Sequence, residues 1–287
     1  MSRRSLATLA LVLLAATSGC TTIFGPGNVD EAALAEDPQP EYDWDTEVDG
    51  FLHLNRNNYT AVYDVANRTS GDLDAEDPTF EIYQRDALGR EDPVEISALQ
   101  FRYPNGTTLR YEETDDGAEV VRVGPNGSSS SAPDALAVET SQTRTVVSLP
   151  TNESGKLAFT APRNGKSLST PTFVQGSYEM SIPERGEVGI PLLAQVRPPA
   201  DRTTTDAVGR VHIHWDEVDS RNLAVRYYLG RDLLIFSGIV VLLTTVGIIG
   251  SVYYLLQIRE TKRRREEVGL DVDVPEDDRD GPPPGMR

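Results

Sequence analysis

Hydrophobic and polar positions divide the chain into four stretches. Leu6–Ala16 is an apolar run of 11 residues near the start. From Gly50 to Arg231 apolar and polar residues alternate in short runs. Leu233–Ile258 contains no charged residue over 26 positions, and the remainder is strongly polar. In the second stretch, Tyr59–Val65, Thr79–Tyr83, Glu119–Val123, Arg144–Leu149, Tyr178–Ile182 and Arg210–Trp215 are β-branched, aromatic or alternating, the pattern of strands. Gly, Pro, Asn and Asp clusters separate them. Pro104-Asn105-Gly106 predicts a tight hairpin of type I′, because Asn-Gly accepts the positive φ angles that turn needs. Pro183–Gly186 predicts a second hairpin. No sustained 3.6-residue period precedes Asp232.

About ten to twelve short strands are expected on this pattern, which implies a mainly β fold. We expect an immunoglobulin-like β-sandwich over 49–231, as one unit or as two in tandem. Gly124–Pro133, rich in Gly and Ser, would be the seam between two units or a long loop within one.

The third stretch predicts a single C-terminal transmembrane helix over 233–258. Twenty-six residues at about 1.5 Å each exceed a hydrocarbon core of about 30 Å. Tyr227, Tyr228 and Phe236 stand at one boundary and Tyr253 and Tyr254 at the other. Arg259, Lys262, Arg263, Arg264 and Arg265 follow directly, and such clusters stay cytoplasmic. The tail 259–287 is therefore expected inside, basic and then acidic, with a helical extension to about Val268 supported by the Glu260–Arg264 spacing. Residues before 232 are expected outside. Gly247 and Ser251 form a small-xxx-small step that would let a second copy approach.

The first stretch fits this orientation. Arg3 and Arg4, the apolar run and Thr17-Ser18-Gly19 compose an export signal over 1–19. Arg3-Arg4 suits either the twin-arginine or the general secretory route. Cys20 is the only cysteine in the chain, placed at the cleavage point, where lipidation is its expected use. Residues 20–48, acidic and Pro-containing, read as a lipidated, solvated tether.

Composition adds habitat. The chain has 287 residues, 27 Lys+Arg, 45 Asp+Glu and a formal charge of −18. Residues 21–232 hold 36 of the acidic and 18 of the basic residues, so the acidity belongs to the expected exterior. Only Lys156, Lys166 and Lys262 are lysine. Such a surface suits concentrated salt, where charge is screened within a few Å. It excludes a nucleic-acid partner, which needs a concentrated basic face.

Five Asn-x-Ser/Thr sequons, at Asn58, Asn67, Asn105, Asn126 and Asn152, all fall in the expected exterior, where glycosylation occurs. For Asn105 and Asn126, each followed by Gly, turn chemistry is the competing explanation. The three histidines are His53, His212 and His214. His212 and His214 lie two apart in a predicted strand, so they share a face and could offer two nitrogens to a metal, with Asp216 continuing that face and Glu217 nearby. Alternatively they flank a strand whose Ile213 and Trp215 enter the core. A third ligand is not assignable, and no metal or cofactor is expected. The common nucleophile, phosphate and zinc motifs do not occur.

Cys20 at its cleavage site, the β-rich exterior, Tyr227-Tyr-Leu-Gly-Arg-Asp232 entering the apolar run and Arg264-Arg-Glu-Glu-Val-Gly-Leu-Asp-Val-Asp273 leaving it are together similar to an uncharacterised family of haloarchaeal membrane lipoproteins. The resemblance implies habitat and topology and no catalytic residue. The expected function is a non-enzymatic, membrane-anchored surface module with an envelope or surface-layer protein as partner. A metal or small-solute binding module is the alternative, and an exported hydrolase with an unrecognised site a third.

Overall fold

The computed structural model describes residues 29–67, 78–86, 88–115, 117–150 and 154–267. The export signal, Cys20, Asn152 and the tail from 268 lie outside the described residues. The described residues form two compact units, divided after Gly230.

The first unit is mainly β, as expected. Its largest sheet has ten strands: β1 (Gly50–Leu54), β2 (Asn58–Asp64), β5 (Ser97–Arg102), β6 (Thr108–Thr114), β7 (Gly117–Val123), β8 (Ser129–Ser131), β11 (Lys156–Pro162), β13 (Tyr178–Ser181), β16 (Arg202–Thr205) and β17 (Val211–Trp215). Their order is β16-β17-β13-β1-β2-β11-β5-β6-β7-β8. All pairings are antiparallel except β1 with β13.

The facing layer consists of smaller sheets. One joins β4 (Glu91–Pro93), β3 (Thr79–Arg85), β10 (Thr145–Ser148) and β9 (Ala137–Thr140). Another joins β12 (Ser167–Pro171), β18 (Asn222–Arg226) and β15 (Gln195–Arg197). A short pair, β14 (Gly186–Glu187) and β19 (Tyr228–Leu229), ends the unit. Ten strands in one sheet, with a parallel pair inside it, exceed the seven to nine antiparallel strands of an immunoglobulin domain.

One continuous core lies between the layers. Leu52, Tyr63, Phe159 and Met180 from the large sheet share it with Phe80, Ile82, Val147, Leu223 and Val225 from the small ones. Tyr63 is its centre, with its ring 5.6 Å from those of Phe80 and Phe173 and 6.4 Å from that of Tyr178. A shared core makes one unit rather than two in tandem. The proposed seam is instead a hairpin: Gly124-Pro-Asn-Gly127 turns β7 into β8.

The hairpin at Pro104-Asn105-Gly106 is present, but its turn type differs from expectation. Gly106 N–H donates to Tyr103 O, Tyr103 N–H donates to Thr107 O, and only Gly106 has positive φ, at 85°. This is a type I turn with Pro at its second position, closed by a left-handed glycine; Pro104 favours it over type I′ by fixing a negative φ. Gly124–Ser128 repeats the arrangement, with Gly127 at φ 79°.

The expected solvated tether also needs correction. Residues 29–48 are docked on the β unit. Leu34, in the one-turn helix α1 (Glu31–Leu34), is buried in the main core. Beyond it, a strap crosses the outer face of the large sheet, where Tyr42, Trp44 and Val48 pack on Phe51, Val62, Ala98 and Ala158. The strap seats on a β-bulge. The β5–β11 register shifts between Ala158 and Thr160, and Ala98 sits opposite the shift in the left-handed region, at φ 53°. Tyr42 Oη donates 2.6 Å to Ala98 O and lies 3.1 Å from Thr160 Oγ1. Lys156 Nζ fixes the next turn, donating to Trp44 O at 2.9 Å and Thr46 O at 2.6 Å. The solvated reading fails because one tyrosine and one tryptophan find long-range apolar partners despite the carboxylates around them.

The second unit contains one continuous helix, α2 (Gly230–Glu267), of 38 residues. It is long and apolar enough to cross a membrane. Its polar end continues the helix as expected, with Arg264 Nη2 2.6 Å from Glu260 Oε1.

Replacing Tyr42 with Phe leaves the Ala98 carbonyl without its partner in an apolar setting. The expected loss of stability is about 1–3 kcal/mol, read by urea unfolding of the detergent-solubilised chain. Limited proteolysis should also cut 36–48 sooner in the Tyr42→Phe chain than in the parent.

Candidate functional site

The register of the large sheet assembles the polar cluster. Along one row, Arg202 of β16 stands beside His214 of β17, then Glu179 of β13 and Phe51 of β1. The next row places Thr204, His212, Ser181 and His53 side by side. Strand alternation turns Ile213 and Trp215 into the core and both histidines of β17 outward, as expected of a two-residue period.

Glu179 is the hub. Its two oxygens face both rings: Oε1 lies 2.6 Å from His212 Nδ1 and Oε2 lies 3.3 Å from His214 Nδ1. The rings stack, 6.3 Å apart and 19° from parallel. His212 Nε2 lies 3.3 Å from Asp206 Oδ2, and His214 Nε2 lies 3.1 Å from Thr204 Oγ1. Asp206 is itself fixed by its turn, where its Oδ1 accepts from the N–H groups of Val208 and Arg210. These donors, with the His212 ring, lower the Asp206 pKa. Burial, with Arg210 and His212 near, pushes His53 down to about 4, against an opposing pull from Asp43 and Asp206.

The carboxylates that meet the histidines are therefore Glu179 and Asp206, not Asp216 and Glu217. Asp216 is exposed just beyond β17, and Glu217 lines a cleft described below. Glu179 was hidden in the sequence because it stands 33 residues from His212. Among the described residues no group of three His, Cys, Asp or Glu is arranged to hold a metal ion. Ser181 is fully buried, and its Oγ has no hydrogen-bond partner, so it is not coupled to either neighbouring histidine as a nucleophile would be. The arrangement can clamp the β16–β17 hairpin onto β13.

A second polar group lies on the facing layer. Glu91 accepts from Arg85 at 3.0 Å and from Arg144 at 2.6 Å, and Arg144 also reaches Glu81. Both guanidinium carbons lie near the Tyr83 ring, at 5.3 and 4.8 Å from its centroid. The two arginines hold the Glu91 carboxyl below the ordinary range. Beside them opens a cleft of about 540 Å³, lined by Tyr83, Arg85, Gln175, Glu217, Asp219 and Arg221 among others.

The sequons take different positions. Asn105 and Asn126 are exposed at their hairpin tips, with Oδ1 accepting from Thr107 N–H and Ser128 N–H. Asn58 is half-buried at the start of β2. Asn67 ends a single 3₁₀ turn after β2, and its side chain is outside the description. Asn152 and Cys20 are outside the described residues.

The fold and its polar face define a mainly β domain with a carboxylate–histidine cluster, followed by one helix fit to cross a membrane. The chain belongs to DUF5803, a family of unknown function, whose model matches residues 46–273. That span takes in the β domain and the helix together. No curated protein and no solved structure matches the chain.

The His53 shift has a defined pH signature. The ring stays neutral in the fold down to about pH 4, whereas an unfolded chain protonates it near 6.5. A lowered base favours the fold while neutral, so its contribution is complete above pH 6.5 and lost as pH falls towards 4. His53→Asn should flatten the dependence of unfolding free energy on pH across that window, by about one proton in the slope. The lowered carboxylates, Asp206 and Glu91, act below it: their contributions are present above the unfolded carboxyl pKa and disappear on further acidification.

Proposed function

We propose that this chain is a membrane-anchored surface module of a halophilic archaeon whose work is binding rather than catalysis. The observation that carries this reading is the order of parts. A β domain with one core is followed without a linker by a helix with an apolar body and a basic end, Arg259–Arg265. In this reading α2 spans the membrane once, the β domain is outside, and the tail is cytoplasmic. The layered β unit then serves as an interaction module for an envelope or surface-layer protein.

Lipidation of Cys20 gains a purpose from the docked strap. Only eight residues separate Cys20 from Val29, where the described chain begins, and they reach at most about 30 Å. A lipid on Cys20 would therefore hold a folded domain near the bilayer rather than the end of a loose tether. Glycans on Asn67, Asn105, Asn126 and Asn152 would decorate the exterior, with Asn105 and Asn126 the most accessible of those described; Asn58, half-buried at the start of β2, is the least suited. An acidic, lysine-poor surface is consistent with concentrated salt.

Support for a non-enzymatic role comes from the engaged state of the histidines and the burial of Ser181. Topology is tested on intact cells. A tag after Arg287 should resist external protease, and a tag in the Asn126 turn should be cleaved. The reverse pattern would overturn the orientation. Cys20→Ser should lose a lipid label and gain mobility on a gel; an unchanged label would remove the lipoprotein reading. The metal-binding alternative predicts stoichiometric zinc or copper in the purified chain, lost with Glu179→Gln, and less than that removes it.

A further inference from the structure

Strand directions sort the turns of the β unit into two ends. The end from which the chain leaves, at Tyr228–Leu229, also holds the β1–β2 turn at 55–57 and the β11–β12 turn at 163–166. The segment 182–194 and the β16–β17 turn at 206–210 lie there too. Arg163 ties this end together. It is buried, and its Nη2 donates to Tyr227 Oη at 2.6 Å and Gly165 O at 2.8 Å, while its guanidinium lies 5.4 Å from the Tyr227 ring centroid.

Two observations set this end apart. Outside α2, the described exposed large hydrophobic residues are Leu88, Leu192 and Val208. Leu192 and Val208, at 71% and 68% exposure, both lie at the exit end; Leu88, in the β3–β4 turn, does not. Val208 stands at the tip of a hairpin whose turn is fixed by Asp206, so its exposure is built in. The second observation is charge. In a domain with twice as many acidic as basic residues, these segments hold Arg56, Arg163, Lys166, Arg185 and Arg210 against Glu184, Glu187 and Asp206, with Arg226 closing β18 beside them. Arg56, Arg185 and Arg226 are exposed, as are Glu184, Glu187 and Asp206, whereas Arg163 is buried.

We propose that this end of the β unit is a second membrane contact, resting on anionic lipid headgroups with Leu192 and Val208 entering the interface. Exposed apolar tips at an end with a net excess of cationic residues form the pattern of a peripheral membrane surface. A lipid surface is the occupant because the chain passes from this end into an apolar helix without a linker. The β6–β7 hairpin reaches the same end of the sheet but carries Asp115 and stands next to Glu113. The contact is therefore confined to the flank of β16, β17, β13, β1 and β2. This inference rests on the reading of α2 as a membrane span.

Full-length chains carrying Cys20→Ser and one added cysteine, Leu192→Cys, Val208→Cys or Leu88→Cys, are labelled with a polarity-sensitive fluorophore. They are then reconstituted in phosphatidylglycerol vesicles. All three positions are exposed, so labelling leaves the core intact. The expected result is a blue shift on reconstitution at 192 and 208 and none at 88. Arg56→Glu with Arg185→Glu should reduce the shift by at least half. A chain that stays with the vesicles through a carbonate wash, yet shows no shift at 192 and 208 or an equal shift at 88, overturns this contact and leaves the span standing. A chain that the wash removes overturns the span itself.

Discussion

The large sheet is apolar on both faces at its centre, and the rest of the structure answers to that. In β2 five consecutive residues, Tyr59–Tyr63, are buried, and in β11 so are Leu157–Ala161. Tyr59, Ala61, Tyr63, Leu157 and Phe159 face the main core; Val62 and Ala158 face the other way. A half-exposed antiparallel strand alternates, whereas one covered on both sides does not. Two covers are therefore required. The smaller sheets supply one through Phe80, Ile82, Val147 and Val225, and the N-terminal strap supplies the other through Tyr42 and Trp44.

The outer face consequently has two territories. Over β2, β11 and β5 it is apolar and closed by the strap, whose acceptor in the sheet is the carbonyl exposed by the Ala98 bulge. Over β1, β13, β17 and β16 it becomes polar, and the change occurs within β1, where Phe51 belongs to the strap's cluster and His53 to the histidine row. Glu179 then satisfies two rings at once. Without the strap, that row would border an open apolar patch. With it, the polar flank is separated from the apolar one along β1.

Much of this was legible in the sequence, and the failures have a common cause. Tyr59–Val65, Glu119–Val123 and Arg210–Trp215 announce strands through local composition, and the apolar run after Asp232 announces its helix. Lys156–Pro162, one of the two central strands, gives no alternation because it is buried on both faces. Short pairings such as Ser129–Ser131 and Arg202–Thr205 have no apolar pattern because they form exposed edges. They help bring the described strands to 19, beyond the ten to twelve expected. At the polar cluster, the outward direction of His212 and His214 followed from the two-residue period. Their partners did not, since Glu179 and Asp206 arrive through strand order and turn geometry. Pairing across long separations leaves no mark on local sequence, and the strap shows it: Tyr42 meets Ala98 from 56 residues away and Thr160 from 118.

The net charge of −18 conceals an ordering that strand directions reveal. Acidic residues crowd the strap, α1 and the β6–β7 hairpin, while the exit flank gathers arginines and two exposed aliphatic tips. In dilute buffer the arginines would dominate attraction to an anionic surface. At about 1 M salt the screening length falls to about 3 Å, so charge acts only at contact. Apolar burial is not screened, and it strengthens with salts excluded from protein surfaces. A surface that must hold in concentrated salt thus needs Leu192 and Val208 as much as Arg56 and Arg185. The opposite end differs in kind: it carries the Asn105 and Asn126 turns and the cleft beside Tyr83, all polar features.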